Sequence, residues 1–187
     1  MPETTRDRIV AAAVELTTSS GWAAVTMARL AEAAGVSRQT VYNEVGSKPA
    51  LAETMILEEL ARFLQVVEQA FDARPDDLGG AIEKAVSDVL TYARANKLLH
   101  AVVSATHGAD TELLPLLTTN AAGLLGVAKE VISARVAPYS PGLDADHLDP
   151  AIDMVVRVVL SHVMQPSGSP EQTGADIAWL AAKVLGG

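Results

Sequence analysis

The chain contains no cysteine, an absence that removes disulfide frameworks, thiolate metal ligation and cysteine catalysis together. Such a chain suits a reducing compartment, and a cytoplasmic location is expected. Aromatic residues are scarce too, at 4% against a hydrophobic content of 49%. The apolar content is mostly Ala, Val and Leu, which favour closely packed helices. Hairpin signals such as Asn-Gly are also missing, so the expected fold class is all-α.

A long uninterrupted apolar run is lacking. The N-terminal stretch Met1 to Leu16 carries charges throughout and does not read as a signal peptide. The most apolar later segment, Ala151 to Met164, holds Asp153, Arg157 and His162 and is too short to span a bilayer. No membrane partner is expected. Catalytic signatures are missing as well: there is no Gly-x-Ser-x-Gly, phosphate-binding loop or His-Glu-x-x-His pattern. The rival reading of a di-iron helical bundle needs paired Glu-x-x-His motifs, and none occurs. One Asp-x-x-His, Asp144 to His147, falls in a stretch that reads as a solvated acidic loop. Neither an enzyme, a cofactor nor a metal site is expected.

Positive charge is in short supply, with a formal net charge of −9 over 187 residues. That balance argues against nucleic-acid binding unless the charge is unevenly spread. Residues 1–48 carry five basic and five acidic side chains, so the remainder holds nine of the 14 basic and 18 of the 23 acidic ones. The acidity thus belongs to the later part, and only the N-terminal quarter is free to approach phosphate. This length fits either one compact domain or a small domain followed by a larger one.

Along the chain, Ile9, Ala13 and Leu16 form an apolar stripe for a first helix over about Thr5–Ser19, ended by Gly21. Trp22 and Val25 read as core. Thr26 is placed to cap a short helix, Met27–Ala34, and Gly35-Val36-Ser37 reads as a tight turn whose serine caps the next helix, Arg38–Val45. Ser47 and Pro49 open a long helix to about Phe71. Further helices fit Leu78–Ala95, Lys97–His107, Thr111–Ala137, Pro150–Met164 and Gln172–Leu185, with a loop over Pro138–Asp149.

Two short helices joined by a glycine-containing turn and preceded by a third form the arrangement whose last helix enters the DNA major groove. If Val41 and Val45 face the core, Arg38, Gln39, Tyr42 and Asn43 project from the opposite side. Arg suits guanine, Gln and Asn suit adenine, and Ser37, Thr40, Tyr42 and Lys48 suit phosphates. The same face is also what an ordinary solvated helix presents, and the acidic majority leaves open an interaction module with a merely architectural helix-turn-helix. Salt-dependent, sequence-discriminating DNA binding separates the two.

Gly21-Trp22, Thr26, Leu30-Ala31, Ala34-Gly35-Val36-Ser37, Thr40-Val41-Tyr42, Val45, Lys48 and Leu51 together resemble the DNA-binding unit of the TetR family of transcriptional regulators. The resemblance implies a helix-turn-helix DNA-binding domain over residues 1–48 and a helical ligand-binding and dimerisation domain over 49–187. It implies phosphate contacts from Thr26, Ser37 and Lys48 and recognition-helix contacts from Arg38, Gln39, Thr40, Tyr42 and Asn43, with Arg6 and Arg29 as further candidates. Val45 stands where Phe is usual, and Asn43-Glu44 where aromatic or His residues are frequent. Glu44 brings a negative charge near the groove, or accepts from cytosine.

The segment from Val155 to His162, with Pro166-Ser167-Gly168 and a final helix, looks like the ending of many actinobacterial members. In the family the last two helices pair with their copies, which implies a homodimer. Ile152, Val155, Val156, Val159, Leu160 and Val163 cover more than one helix face, as a helix with two apolar neighbours requires. The resemblance implies a repressor on a palindromic double-stranded operator, released by an apolar small-molecule effector. Candidate lining residues are Phe63, Val67, Tyr92, Leu99, Val103, Leu117, Leu124 and Val159, each equally readable as plain core. His100, His107, Asn120 and His162 are polar groups set in apolar stretches.

Overall fold

The computed structural model describes residues 4–104, residue 113 and residues 122–184. Every element among them is helical: α1 (Thr5–Ser20), α2 (Met27–Ala34), α3 (Arg38–Val45), α4 (Lys48–Asp72), α5 (Leu78–Ala95), α6 (Lys97–Ser104), α7 (Ala122–Val136), α8 (Ala145–Met164) and α9 (Pro170–Val184). Short 3-10 turns cover Trp22–Ala24 and Ala137–Tyr139. No helix among the described residues is long and apolar enough to cross a membrane.

By packing, the chain divides into two compact units, Met1–Glu59 with Asn96–Ala121, and Leu60–Ala95 with Ala122–Gly187. The first unit is built on local hydrogen bonds that sequence spacing encodes. Thr4 and Asp7 form a reciprocal capping box at the start of α1. The Thr26 hydroxyl accepts from the Arg29 amide at 3.2 Å, and Ser37 accepts from the Thr40 amide at 3.0 Å. The turn between these helices closes α2 by two bonds, Val36 N–H to Ala31 O at 2.9 Å and Gly35 N–H to Glu32 O at 3.2 Å. Gly35 sits at φ 66°, left-handed backbone in which a Cβ is strained.

Those caps turn the apolar residues of α1, α2 and α3 toward one core, where Ile9, Leu30, Val41, Leu51 and Met55 are fully buried beside Trp22 and Val25. Truncating such a residue to Ala costs about 2–5 kcal/mol, so this core fixes how the short helices sit. Leu51, Ala52 and Met55 belong to α4, and Leu98 and Val102 to α6. Packing therefore carries the unit past residue 48, to Glu59, and brings in α6.

In the second unit, α5 presents Ala81, Ile82, Ala85, Val86, Val89, Leu90 and Ala93 as one buried stripe. Against it packs α9 through Thr173, Gly174, Ile177, Ala178 and Ala181. Gly174 meets α5 so closely that a Cβ there would lie 2.8 Å from the Glu83 carbonyl oxygen. The expected loop over Pro138–Asp149 is shorter than predicted, because α8 begins at Ala145 with Asp144 accepting from the His147 amide at 3.0 Å. Pro150 lies inside the helix, where it forfeits one backbone bond without marking the start. Likewise α9 starts at Pro170 rather than Gln172, because Ser169 accepts from the Gln172 amide at 3.2 Å and Pro suits a first helical position.

Candidate nucleic-acid interface

Helix α3 is two-faced. Val41 and Val45 are buried, while Arg38, Gln39, Tyr42 and Asn43 are exposed, Tyr42 to 52%. An exposed tyrosine that could have packed inward marks this as the outward surface of the unit. Thr40 is half-buried, its hydroxyl 2.8 Å from that of Ser37. Gln39 Nε2 donates to Asn43 Oδ1 at 3.0 Å, one turn away, so the two amides are tied together across the face. Glu44 is half-buried at the flank.

The expected phosphate contacts surround this helix in sequence. Thr26 accepts a backbone bond, which uses a lone pair on its hydroxyl oxygen and leaves its proton to donate, while the Ser37 hydroxyl accepts from the Thr40 amide and shares a hydrogen bond with the Thr40 hydroxyl. Lys48, the first residue of α4, holds its ammonium 4.8 Å from the centre of the Trp22 ring. Arg29 donates to the Ala24 carbonyl at 3.0 Å, which ties one arm of its guanidinium to the preceding 3-10 turn. Arg6 donates to the Glu44 carbonyl at 3.3 Å and to Thr54 Oγ1 at 3.2 Å.

The candidate effector-lining residues are distributed over both packing units. Phe63, Val67, Tyr92, Leu124 and Val159 belong to the second, and Leu99, His100 and Val103 to the first. Phe63 and Tyr92 meet edge to face, with centroids 4.8 Å apart. Phe63 and Val159 are partly buried against the core that contains Val67. Leu99, Val103 and Leu124 are half-buried, whereas His100 is exposed rather than embedded. His162 is half-buried, with Nδ1 3.1 Å from the Ser167 hydroxyl. His107, Leu117 and Asn120 lie outside the described residues.

Two features escape a reading by periodicity. Glu59 is buried and accepts from the Asn96 amide, while Asn96 Oδ1 accepts from the Leu99 amide at 2.8 Å and so caps α6. The only sequence signal was an Asn directly before a helix. In the second unit, Met154, Val158 and Leu160 of α8 and Trp179, Leu180 and Val184 of α9 are exposed. Of these, only Leu160 stood among the residues expected to cover two faces.

Residues 9–55 match the family model described as bacterial regulatory proteins, tetR family, and residues 77–183 match the bacterial tetracyclin repressor C-terminal domain. The chain is 32% identical over 182 residues to the HTH-type transcriptional regulator AlkX of Mycobacterium tuberculosis, covering 94% of this chain and 82% of that one. The structure is similar to the TetR family repressor AlkX from a Dietzia species, implicated in biodegradation of n-alkanes. There the TM-score is 0.77 at 26% identity, over 97% of this chain and 95% of that one. The fatty acid degradation regulator FadR of Bacillus halodurans shares the fold, with a TM-score of 0.60 at 19% identity over 100% and 97% of the two chains. These relatives are regulators and not enzymes. With its helix-turn-helix in the first unit and a helical second unit, the chain belongs to the TetR family of DNA-binding transcriptional regulators.

Proposed function

We propose that the protein is a cytoplasmic homodimeric repressor that reads a palindromic operator with α3 and leaves it when an apolar, hydrocarbon-like molecule binds. The observation that carries this reading is the two-faced α3, with Val41 and Val45 buried and Arg38, Gln39, Tyr42 and Asn43 exposed. Arg, Gln and Asn read base edges in the major groove, while Thr26, Arg29, Ser37, Thr40 and Lys48 hold the flanking backbone. Residues 1–48 are the DNA-binding part in this reading and residues 49–187 the sensing and dimerising part.

Dimerisation is supported by the exposed apolar side chains of α8 and α9, among them Met154, Trp179 and Leu180. Their cost in water is removed if a second copy covers them. Two copies also place two recognition helices on one duplex, and successive major grooves are roughly 34–36 Å apart, so the site must be palindromic. An apolar effector is supported by the apolar side chains gathered in the second unit, where Phe63 and Tyr92 meet edge to face and Phe63 and Val159 pack against the core that contains Val67, and by the n-alkane context of the Dietzia relative. Such a ligand releases DNA only through different affinities for two dimer states.

Footprinting on the DNA upstream of the protein's own gene, with and without added n-alkanes or fatty acids, tests this reading. A protected palindrome that is lost on adding one of these compounds is expected. Absence of any protected site would refute the operator, and protection that no such compound alters would refute the sensing.

A further inference from the structure

Arg6 lies near the start of α1, 38 positions before Glu44, yet its guanidinium reaches the far end of the reading helix. Nη1 donates to the Glu44 carbonyl at 3.3 Å, and Nη2 donates to Thr54 Oγ1 on α4 at 3.2 Å. The Thr54 hydroxyl donates its own proton to the Ala50 carbonyl at 2.9 Å, so its oxygen is left as an acceptor facing Arg6. One planar fork therefore spans two acceptors on two helices.

The last carbonyls of a helix have no partner within it, and the negative end of the helix dipole lies there. Helix α3 has no basic residue in its own last turn. Its closing backbone bond, Gly46 N–H to Tyr42 O at 2.9 Å, leaves the Glu44 carbonyl to an outside donor. Arg6 is that donor and brings the cation that the sequence of α3 omits.

We propose that Arg6 is a positioning residue for the reading helix, bracing the C-terminal end of α3 against α4, and not a phosphate contact. This rests on α3 being the DNA-reading helix. The role requires a fork: Lys keeps the charge but cannot donate to both acceptors in the same geometry. The bracing fixes the angle at which Arg38, Gln39, Tyr42 and Asn43 meet base edges, and so acts on sequence discrimination more than on general affinity for DNA.

The test uses the full chain with Arg6→Lys, Arg6→Ala and Thr54→Val, titrated with the footprinted operator and a scrambled duplex over a range of salt. Arg6→Lys and Thr54→Val are expected to lower operator affinity by about tenfold, with scrambled-duplex affinity and salt slope unchanged. A phosphate contact behaves otherwise: Arg6→Lys would be near neutral, and Arg6→Ala would reduce the salt slope by about one and weaken both duplexes alike. That pattern would overturn the proposal. Amide hydrogen exchange without DNA is the second readout. Val45 and Gly46 should exchange faster in Arg6→Lys and Thr54→Val, but not in Arg8→Lys, whose guanidinium, among the described residues, bonds within α1 to Thr5. Unchanged exchange overturns the bracing even where DNA binding is intact. If wild-type protein binds no operator while exchange responds as stated, it is the DNA-reading role that fails.

Discussion

The Lys48 ammonium lies over the indole of Trp22, 4.8 Å from the ring centre. Trp22 is only 2% exposed, so the ring is anchored in the core and gives the lysine a fixed seat. A cation held over an aromatic face at a partly exposed site gains about 0.5–1 kcal/mol. That is enough to favour one position of a flexible side chain next to the reading helix, and too little to hold the fold together.

Lys48→Ala is expected to weaken operator and scrambled DNA equally and to lower the salt slope by about one, as the loss of one phosphate contact requires. Trp22→Phe should weaken binding less than tenfold with the slope unchanged, because the charge remains and only its seat is altered. Titrations monitored by fluorescence anisotropy at several salt concentrations check both. A Lys48→Ala slope equal to the wild-type slope would remove Lys48 from the phosphate contacts.

The bond between Gln39 Nε2 and Asn43 Oδ1, 3.0 Å long, leads to a prediction of non-additivity. Replacing either residue by Ala frees the other amide to turn, so each single variant should disturb what both present to DNA. In a double-mutant cycle on operator affinity, Gln39→Ala and Asn43→Ala should couple by at least about 0.5 kcal/mol. Strict additivity would mean that the two amides act independently on DNA.

Gly174→Ala sets two effects against each other. Ala is favoured over Gly in a helix interior by about 1 kcal/mol, but its Cβ would stand 2.8 Å from the Glu83 carbonyl oxygen and 3.3 Å from the Ser87 amide nitrogen. Those are backbone atoms of α5 that cannot turn aside, and overpacking costs about 1–3 kcal/mol. The net expectation is a loss of stability, read as a lower urea midpoint. A raised midpoint would mean that the α5 to α9 crossing is looser than described.

Trp179 and Leu180 are 66% and 48% exposed on α9. Replacing both by Glu is expected to yield a folded monomer, since little of the protomer's own core rests on them, and sedimentation velocity reads the mass directly. A dimer of unchanged affinity would place the interface elsewhere.

Much of the first unit was legible because its determinants are local. Thr26, Ser37 and Ser47 each accept from an amide three residues on, and the four-residue spacing of Val41 and Val45 sets which side of α3 faces out. The start of α8 differs from the sequence expectation because Pro150 is a strong local signal while the cap at Asp144 is hidden among other turn-forming residues. Contacts distant in sequence were not legible at all: neither Arg6 with Glu44 nor Glu59 with Asn96 leaves a periodic trace. The exposure of Met154 and Trp179 depends on which face of α8 and α9 the protomer covers, and that is decided by packing across the second unit.

The most direct test of α3 as a DNA-reading helix is binding of the footprinted operator and a scrambled duplex by wild-type protein and by the double variant Tyr42→Ala with Lys48→Ala, at matched salt. The wild type is predicted to prefer the operator by about a thousandfold or more. The double variant is predicted to lose operator binding while keeping wild-type helical content and dimer mass. Undiminished operator binding by a folded double variant would contradict the account.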